Sequence, residues 1–206
     1  MTKIPAAPAV DAAAASEPAV PRRGRNAGDT RVRILDAART RFSRDAYENV
    51  GTRDIAADAG VDAALVNRYF GGKEKLFAEV IAGAFCVGQH LPPSLDTLGE
   101  HLVRLVMDGK DKPAAGDFDP LRLLLRAAGS PTTGPLVSAC FHAEFVQPLG
   151  KLLRGRDAEL RAALIASYVI GLATMKHGLG SPALGPGAQR RAVALAGAAI
   201  QACVTG

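Results

Sequence analysis

The 206-residue sequence has only three cysteines, and their arrangement argues against two kinds of stabilising site. Cys86, Cys140 and Cys203 are odd in number and widely spaced, and none belongs to a C-x-x-C pair. This spacing predicts neither a disulfide framework nor a zinc site. We therefore expect a protein of the reducing cytoplasm.

Long hydrophobic runs are also missing. The N-terminus is rich in alanine and proline, but it has no continuous apolar core of the signal-peptide type. The longest apolar run, residues 162–175, is too short to cross a bilayer, and Arg161 and Lys176 flank it. We therefore predict no membrane-spanning segment.

Signatures of common enzyme classes are absent as well. The chain has no G-x-S-x-G motif, no P-loop and no dinucleotide-binding fingerprint after a strand. Cys140, His142 and Glu144 come closest to a metal cluster, but residues two apart on a helix point to nearly opposite sides. His142 and Glu144 also match half of a zinc deaminase signature, yet no P-C-x-x-C follows. We predict no catalytic residue, no metal site and no cofactor.

Positive charge is concentrated near one end of the chain. The formal net charge is +5, and 48% of the residues are hydrophobic, which is enough for a packed core. Residues 22–53 contain nine arginines and four acidic residues. Such a local excess suits a polyanionic partner such as DNA.

The stretch 52–70, TRDIAADAGVDAALVNRYF, has the pattern of two short helices joined by a glycine turn. Thr52 suits the N-cap of the first helix, and Gly60 stands where a residue after a helix often needs positive φ. Asp62 can cap a second helix that runs to about Phe70. This spacing predicts a helix-turn-helix.

The second helix has two different faces. Its apolar arc, expected to lie in the core, consists of Leu65, Val66, Tyr69 and Phe70. Its other arc carries small side chains near the start of the helix, Ala63 and Ala64, and then two polar side chains, Asn67 and Arg68. Asparagine pairs well with adenine, arginine with guanine, and an alanine methyl with a thymine methyl. This face therefore either reads bases in the major groove or is a solvated helix surface.

Together with its flanks, this stretch resembles the TetR family of bacterial transcriptional repressors over residues 30–81. The resemblance rests on Ile34-Leu35-Asp36-Ala37-Ala38, Phe42, Thr52-Arg53-Asp54-Ile55-Ala56, Ala59-Gly60-Val61, Tyr69-Phe70 and Lys73-Glu74-x-Leu76. Asp62, Ala64, Asn67 and Gly71-Gly72 depart from the commoner family pattern, so the resemblance supplies no operator sequence. It implies an all-α protein of about nine helices, with an N-terminal three-helix helix-turn-helix domain and a C-terminal ligand-binding and dimerisation domain.

Composition and helical patterns divide the chain into three parts. Residues 1–21, mostly alanine and proline, are predicted to be a disordered tail. Residues 22–72 hold an arginine arm, a helix over 29–44 and the helix-turn-helix. The ligand-binding and dimerisation domain over 73–206 begins with a helix to about residue 89, the expected lever between domains. Further helices are predicted over about 95–107, 120–129, 135–153 with a kink at Pro148, 158–177 and 188–204.

Two sets of DNA contacts are expected besides the base-reading face. An arm of Arg22, Arg23 and Arg25 either enters the minor groove or adds only diffuse attraction. At helix starts and beside the reading face, the expected phosphate contacts are Thr52, Arg53, Tyr69 and Lys73.

The last two helices are apolar nearly all round, so each must be buried on two sides. Either they form a four-helix bundle with a second copy, or the protomer's own core covers both faces. The predicted homodimer contacts are Ala163, Ala166, Ile170, Ala173, Thr174, Val193, Leu195, Gly197 and Ile200. A two-fold dimer implies a near-palindromic double-stranded DNA operator.

The resemblance also implies a small-molecule effector. Candidate pocket residues, each of which could instead be plain core, are Phe85, His101, Leu105, Phe118, Leu124, Phe141, His142, Phe145, Tyr168 and Met175. Because few of these are charged, an apolar or aromatic effector is expected. The predicted function is a ligand-responsive repressor; the alternative is a dimeric small-molecule or partner-binding protein whose helix-turn-helix is only architectural.

Overall fold

The computed structural model describes residues 23–108 and 118–206. The predicted tail over 1–21 and Arg22 lie outside these ranges, as do the side chains of Arg23 and Arg25. Within the described residues there is no strand, and the α-helices form nine continuous rods. The predicted all-α fold of about nine helices is therefore confirmed.

Four helices form the N-terminal end, with a short 3-10 turn at Tyr47–Asn49. They are α1 (Arg23–Arg44), α2 (Thr52–Ala59), α3 (Ala63–Phe70) and α4 (Lys73–Ile81). Helix α1 begins six residues before the predicted start. These six residues, RGRNAG, contain two glycines and no large apolar side chain, so the sequence pattern gave no sign of them. The backbone at Arg23 and Arg25 belongs to α1, and the predicted DNA contact of the arginine arm stays a prediction.

The helix-turn-helix is fixed by local capping. Gly51, rather than the predicted Thr52, is the N-cap of α2, and its N–H donates to the Asp54 carboxylate at 3.0 Å. Gly60 ends α2 with a φ of 62°, which glycine adopts without the steric cost of a side chain. Asp62 then caps α3 by accepting the N–H of Ala64 at 2.7 Å.

Helix α4 ends at Ile81, eight residues before the predicted end at about residue 89. Ala82 adopts an extended conformation, and Gly83 has a φ of 75°. A 3-10 turn at Val87–His90 follows after this break. Apolar periodicity continues past residue 81, so it gave no sign of the interruption.

Five helices make up the C-terminal end. They are α5 (Leu98–Asp108), α6 (Pro120–Ala128), α7 (Gly134–Phe141, then the π-helical turn His142–Val146, then Gln147–Leu152), α8 (Ala158–Ala173, then the π-helical turn Thr174–Gly178) and α9 (Gln189–Thr205). Short 3-10 turns lie at Leu95–Thr97 and Pro182–Leu184. The π-helical turn of α7 ends two residues before Pro148, which lacks a backbone donor, and the predicted kink at Pro148 stays a prediction.

Two apolar cores hold the described residues together. The first is formed by α1 to α4 and also includes Leu123 and Ala127 of α6 and Val137 of α7. The second is formed by α5, the later part of α7, α8 and α9. Buried chain passes from the first core to the second between Phe85 and Val87. Helices α6 and α7 therefore connect the N-terminal end to the rest of the protein.

Helix α8 with its π-helical turn is 21 residues long, with a mean hydropathy of 1.4 over its most apolar window. By length and composition alone this helix could cross a membrane, whereas the shorter apolar run over 162–175 predicts no span. A core helix of a globular protein passes the same test. Arg161 of α8 is buried and donates to the carbonyls of Cys203 and Val204 at 3.1 and 3.0 Å, which ties α8 to the end of α9.

Candidate DNA-binding surface and effector cavity

Several arginines of α1 brace the helix-turn-helix. Arg33 donates to the carbonyl oxygens of Ala59 and Gly60, which are left without intrahelical partners at the end of α2. Arg41 forms a two-point contact with Asp58, at 2.5 and 3.0 Å. These hydrogen bonds use part of the local positive charge to fix α2 against α1.

Arg31 ties α1 to the two following helices. It pairs with Glu79 of α4 at 2.5 Å, and its guanidinium lies 4.9 Å from the centre of the Phe70 ring. The position of α3 is therefore set by α1 and α4 together, rather than by the turn at Gly60 alone.

The predicted base-reading face of α3 points away from the core. Val66 and Phe70 are buried, whereas Ala64, Asn67 and Arg68 are exposed and Ala63 is half-buried. Across the described ranges, the side chains of Asn67 and Arg68 make no hydrogen bond or ion pair, and neither does the exposed side chain of Arg53 at the start of α2. Donors left unpaired on a rigid helix are available to a ligand.

The predicted phosphate contacts differ in their surroundings. Thr52 is the first residue of α2, and Tyr69 is half-buried on α3. Lys73 begins α4, where the free amides and the helix dipole favour an anion. Its Nζ lies 4.0 Å from the centre of the Tyr47 ring, and burial lowers the pKa of its ammonium.

A mainly apolar cavity of about 280 Å³ lies between α5, α6, α7 and α8. Of the predicted pocket residues, five lie on its wall: Phe85, Leu105, Leu124, Phe141 and Phe145. Phe141 stacks on Phe145 with ring centres 5.2 Å apart and meets Phe85 edge-on at 5.5 Å. One side of the cavity is thus an aromatic wall.

The other five predicted pocket residues lie elsewhere. Tyr168 and Met175 are each 45% exposed on the outside of α8, and His142 pairs with Glu159 at 2.8 Å on the surface. Phe118 packs against the first core, and His101 is half-buried on α5 away from the wall. Periodicity identified the two faces of α8 but did not show which one points inward.

The predicted dimer contacts do not share one surface in the structure. Val193, Gly197 and Ile200 of α9 are buried within the protomer, as are Ala166 and Ala173 of α8. Four predicted contacts instead line the cavity: Ala166, Ile170, Ala173 and Thr174. Ala163 packs half-buried on the second core, whereas Leu195 is 68% exposed. The outer face of α8 is formed by the exposed residues Leu160, Leu164, Tyr168 and Met175.

Some residues at the cavity gave no sequence signal. His177 lies on the wall, and its Nε2 is 2.8 Å from the carbonyl oxygen of Val106. Asp119 and Arg122 also lie on the wall and pair at 3.2 Å. Asp119 and Arg122 are neighbours at the start of α6, whereas His177 lies in the π-helical turn of α8 and Val106 belongs to α5. Only the tertiary structure reveals that these elements meet at one cavity.

An all-helical chain with a braced helix-turn-helix at one end and an apolar cavity at the other has the architecture of a ligand-responsive DNA-binding regulator. The family model described as bacterial regulatory proteins, tetR family, matches residues 34–80. The model described as tetracyclin repressor-like, C-terminal domain, matches residues 96–204. The chain belongs to the TetR family, and it is a ligand-responsive DNA-binding transcriptional regulator.

Solved structures show the same architecture. A TetR-family regulator from Streptomyces coelicolor A3 is 27% identical and has a TM-score of 0.59, over 87% of this chain and 96% of the relative. NalD of Pseudomonas aeruginosa, the secondary repressor of the MexAB-OprM multidrug efflux pump, is 18% identical over 82% of this chain and 95% of its own, with a TM-score of 0.55. No curated protein sequence matches this chain significantly.

Proposed function

We propose that this regulator is a homodimeric, cytoplasmic repressor that leaves a near-palindromic operator when a small uncharged aromatic or apolar molecule enters the cavity. One observation carries the proposal. The same chain combines unpaired side-chain donors on α3 with an apolar cavity in a separate part of the fold, between α5, α6, α7 and α8. A molecule that binds one conformation of the cavity better than another shifts the population of DNA-binding conformations.

The DNA-binding half of the proposal rests on side-chain chemistry. Asn67 and Arg68 are suited to adenine and guanine edges in the major groove. Arg53 and Lys73, at the starts of α2 and α4, are suited to phosphates, which position the protein without reading sequence. In a two-fold dimer the two α3 helices would meet half-sites about one DNA turn apart.

The effector chemistry follows from the cavity wall. The charged wall residues Asp119 and Arg122 neutralise each other, and the Thr174 hydroxyl donates to the carbonyl of Ile170 at 2.6 Å. A charged effector would lose its hydration on entering the cavity, and the wall offers no unpaired opposite charge to offset that cost in free energy. The stacked pair Phe141 and Phe145 favours a planar ring.

The DNA-binding half is tested by fluorescence anisotropy on a duplex that the wild-type protein selects from a random-sequence pool. We expect tight binding that falls steeply with salt and resists a scrambled duplex of equal length. Arg68→Ala should lose this preference. Arg190→Ala, an equal charge change at an exposed residue of α9, should keep it. Equal affinity of the wild type for both duplexes would favour an architectural helix-turn-helix and contradict the proposal.

The effector half is tested by thermal shift with three probes built on one ring system. We expect 2-naphthol to raise the melting temperature and to release the selected duplex, whereas 2-naphthoate and a naphthylmethylammonium salt should do neither. Leu105→Trp should fill part of the cavity and abolish the shift in melting temperature. Leu136→Trp, at an exposed position of α7, should leave the shift unchanged. A shift with the charged probes alone would contradict an uncharged effector.

A further inference from the structure

The break after α4 has an unusual hydrogen-bonding arrangement. Of the four amides over residues 82–85, those of Ala82 and Ala84 donate to main-chain carbonyls, at 3.1 and 3.0 Å. The other two donate to a single side chain: Gly83 N–H to Glu144 Oε1 at 2.7 Å and Phe85 N–H to Glu144 Oε2 at 3.0 Å. One carboxylate of α7 therefore holds the chain that leaves the DNA-binding end.

Glu144 lies in the π-helical turn of α7, between residues that face the cavity. Phe141 and Phe145, on either side of it in this turn region, both lie on the cavity wall, and so does Phe85. One turn earlier, the Cys140 Sγ donates to the carbonyl of Ile81, the last residue of α4, at 3.4 Å. The same stretch of α7 thus touches both the cavity and the end of α4.

A helical continuation of α4 would satisfy the same amides of residues 82–85 without Glu144. If α4 continued as an α-helix, the amides of Gly83 and Phe85 would donate to carbonyls four residues earlier, at Glu79 and Ile81. The apolar pattern of the sequence favours that continuation to about residue 89. Two conformations that satisfy the same amides, one through Glu144 and one through the helix, make a two-state element.

We propose that Glu144 is a positioning residue that holds residues 82–85 unwound and thereby sets the α4 orientation needed for operator binding. This inference rests on the proposed function and adds its route of regulation. A ring that enters the cavity against Phe141 and Phe145 displaces the turn that carries Glu144. The two amides then lose their acceptor, residues 82–85 rewind onto α4, and α3 moves with it.

Two substitutions act on this equilibrium from different sides. Glu144→Gln keeps the shape of the side chain but replaces one acceptor oxygen with an amide that cannot accept a hydrogen bond. Gly83→Ala leaves Glu144 intact but disfavours the φ of 75° and favours a helix; its added Cβ would meet no atom within 4 Å. Glu159→Gln is the matched control, because its carboxylate bonds His142 of the same turn and not the chain after α4.

The experiment measures operator affinity and the Cα chemical shifts of residues 82–86 in the full-length variants. We expect Glu144→Gln and Gly83→Ala each to weaken binding to the selected duplex by about tenfold or more. Their Cα shifts should move to helical values, and binding to scrambled DNA should not change. The double variant should lose less than the product of the two single losses, because both act on one equilibrium. Glu159→Gln should behave as wild type.

Three results would overturn the inference and spare the proposed function: full operator affinity in Glu144→Gln, an equal loss in Glu159→Gln, or weakened binding without helical shifts. Failure of the wild type to prefer any duplex would overturn the proposed function and this inference together. The wild-type measurement therefore distinguishes the two failures.

Discussion

Gly99 of α5 and Gly197 of α9 pack backbone against backbone. A Cβ added at Gly99 would lie 2.1 Å from the carbonyl oxygen of Gly197, closer than any real contact. Gln201 joins the same two helices, since its Oε1 accepts the N–H of Gly99 and its Nε2 donates to the carbonyl of Leu95, both at 3.0 Å. Gly197 thus packs closely against α5 within the protomer.

Gly99→Ala should destabilise the protein, because the Cβ meets main-chain atoms that cannot move aside without separating α5 from α9. We expect the free energy of unfolding to fall by about 3 kcal/mol, at the upper end of overpacking effects. Urea denaturation of the two proteins measures this difference. Gly28 is an exposed residue of α1, where an added Cβ meets nothing within 4 Å. Gly28→Ala should therefore raise the free energy of unfolding by roughly 0.5–1 kcal/mol. A neutral Gly99→Ala would contradict the close packing of these helices.

The helix-turn-helix could be predicted because its determinants are local. Gly60 and Asp62 act on their own neighbours in sequence, so residue type and spacing are sufficient. The two faces of α3 follow from helical periodicity in the same way, with Val66 inside and Asn67 outside.

The faces of α8 could not be assigned, because both are apolar. Ala166 and Ala173 face inward together with Ile165, while Leu164 and Tyr168 face outward, so the size of an apolar side chain does not show whether it lies in the core. Small residues inside allow the neighbouring helices to approach closely. The end of α4 could not be predicted because the group that holds it is distant in sequence. Glu144, which accepts the Gly83 N–H, lies 61 residues further along the chain.

Asn67→Ala and Lys73→Ala should weaken DNA binding in different ways. If Asn67 reads a base, its loss should cost about 1 to 3 kcal/mol and relax the preference at one position of the operator. Lys73→Ala should weaken the selected and scrambled duplexes alike and reduce the salt dependence of binding, since a phosphate contact carries no sequence information. Anisotropy titrations on single-base operator variants measure both effects. Equal losses on operator and scrambled DNA for Asn67→Ala would rule out base reading.

Cys140 should be slow to alkylate until the solution is strongly alkaline. Burial, together with the negative charge of the nearby Glu144 carboxylate, raises the pKa of its thiol to about 12. Only the thiolate reacts, so at pH 8 we expect iodoacetamide to modify Cys140 at least about 100-fold more slowly in the folded protein than in urea. In the folded protein the rate should keep rising above pH 9, where the rate of the unfolded chain levels off. Peptide mass spectrometry separates this site from exposed Cys86, which serves as the reactive internal control.

The outer face of α8 is the surface most suited to a second copy. Leu160, Leu164, Tyr168 and Met175 lie on it at helical spacing, and all are exposed in the single chain. Exposed apolar residues that are contiguous, rather than scattered, are typical of an interface. If two copies pair through this face, one substitution places a charge on each protomer, and both charges are buried at the interface. Burial of these unpaired charges would destabilise the dimer.

Leu164→Glu should therefore convert the dimer to a monomer, as measured by sedimentation velocity at micromolar concentration. Leu136→Glu is the matched control, because Leu136 on α7 has a similar exposed fraction, 37% against 44%, and lies off this face. We expect the control to remain a dimer. The monomer should also bind the selected duplex far more weakly while keeping its affinity for scrambled DNA, because only a dimer can engage two half-sites at once. A dimeric Leu164→Glu would place the interface elsewhere and leave the apolar face of α8 without an explanation.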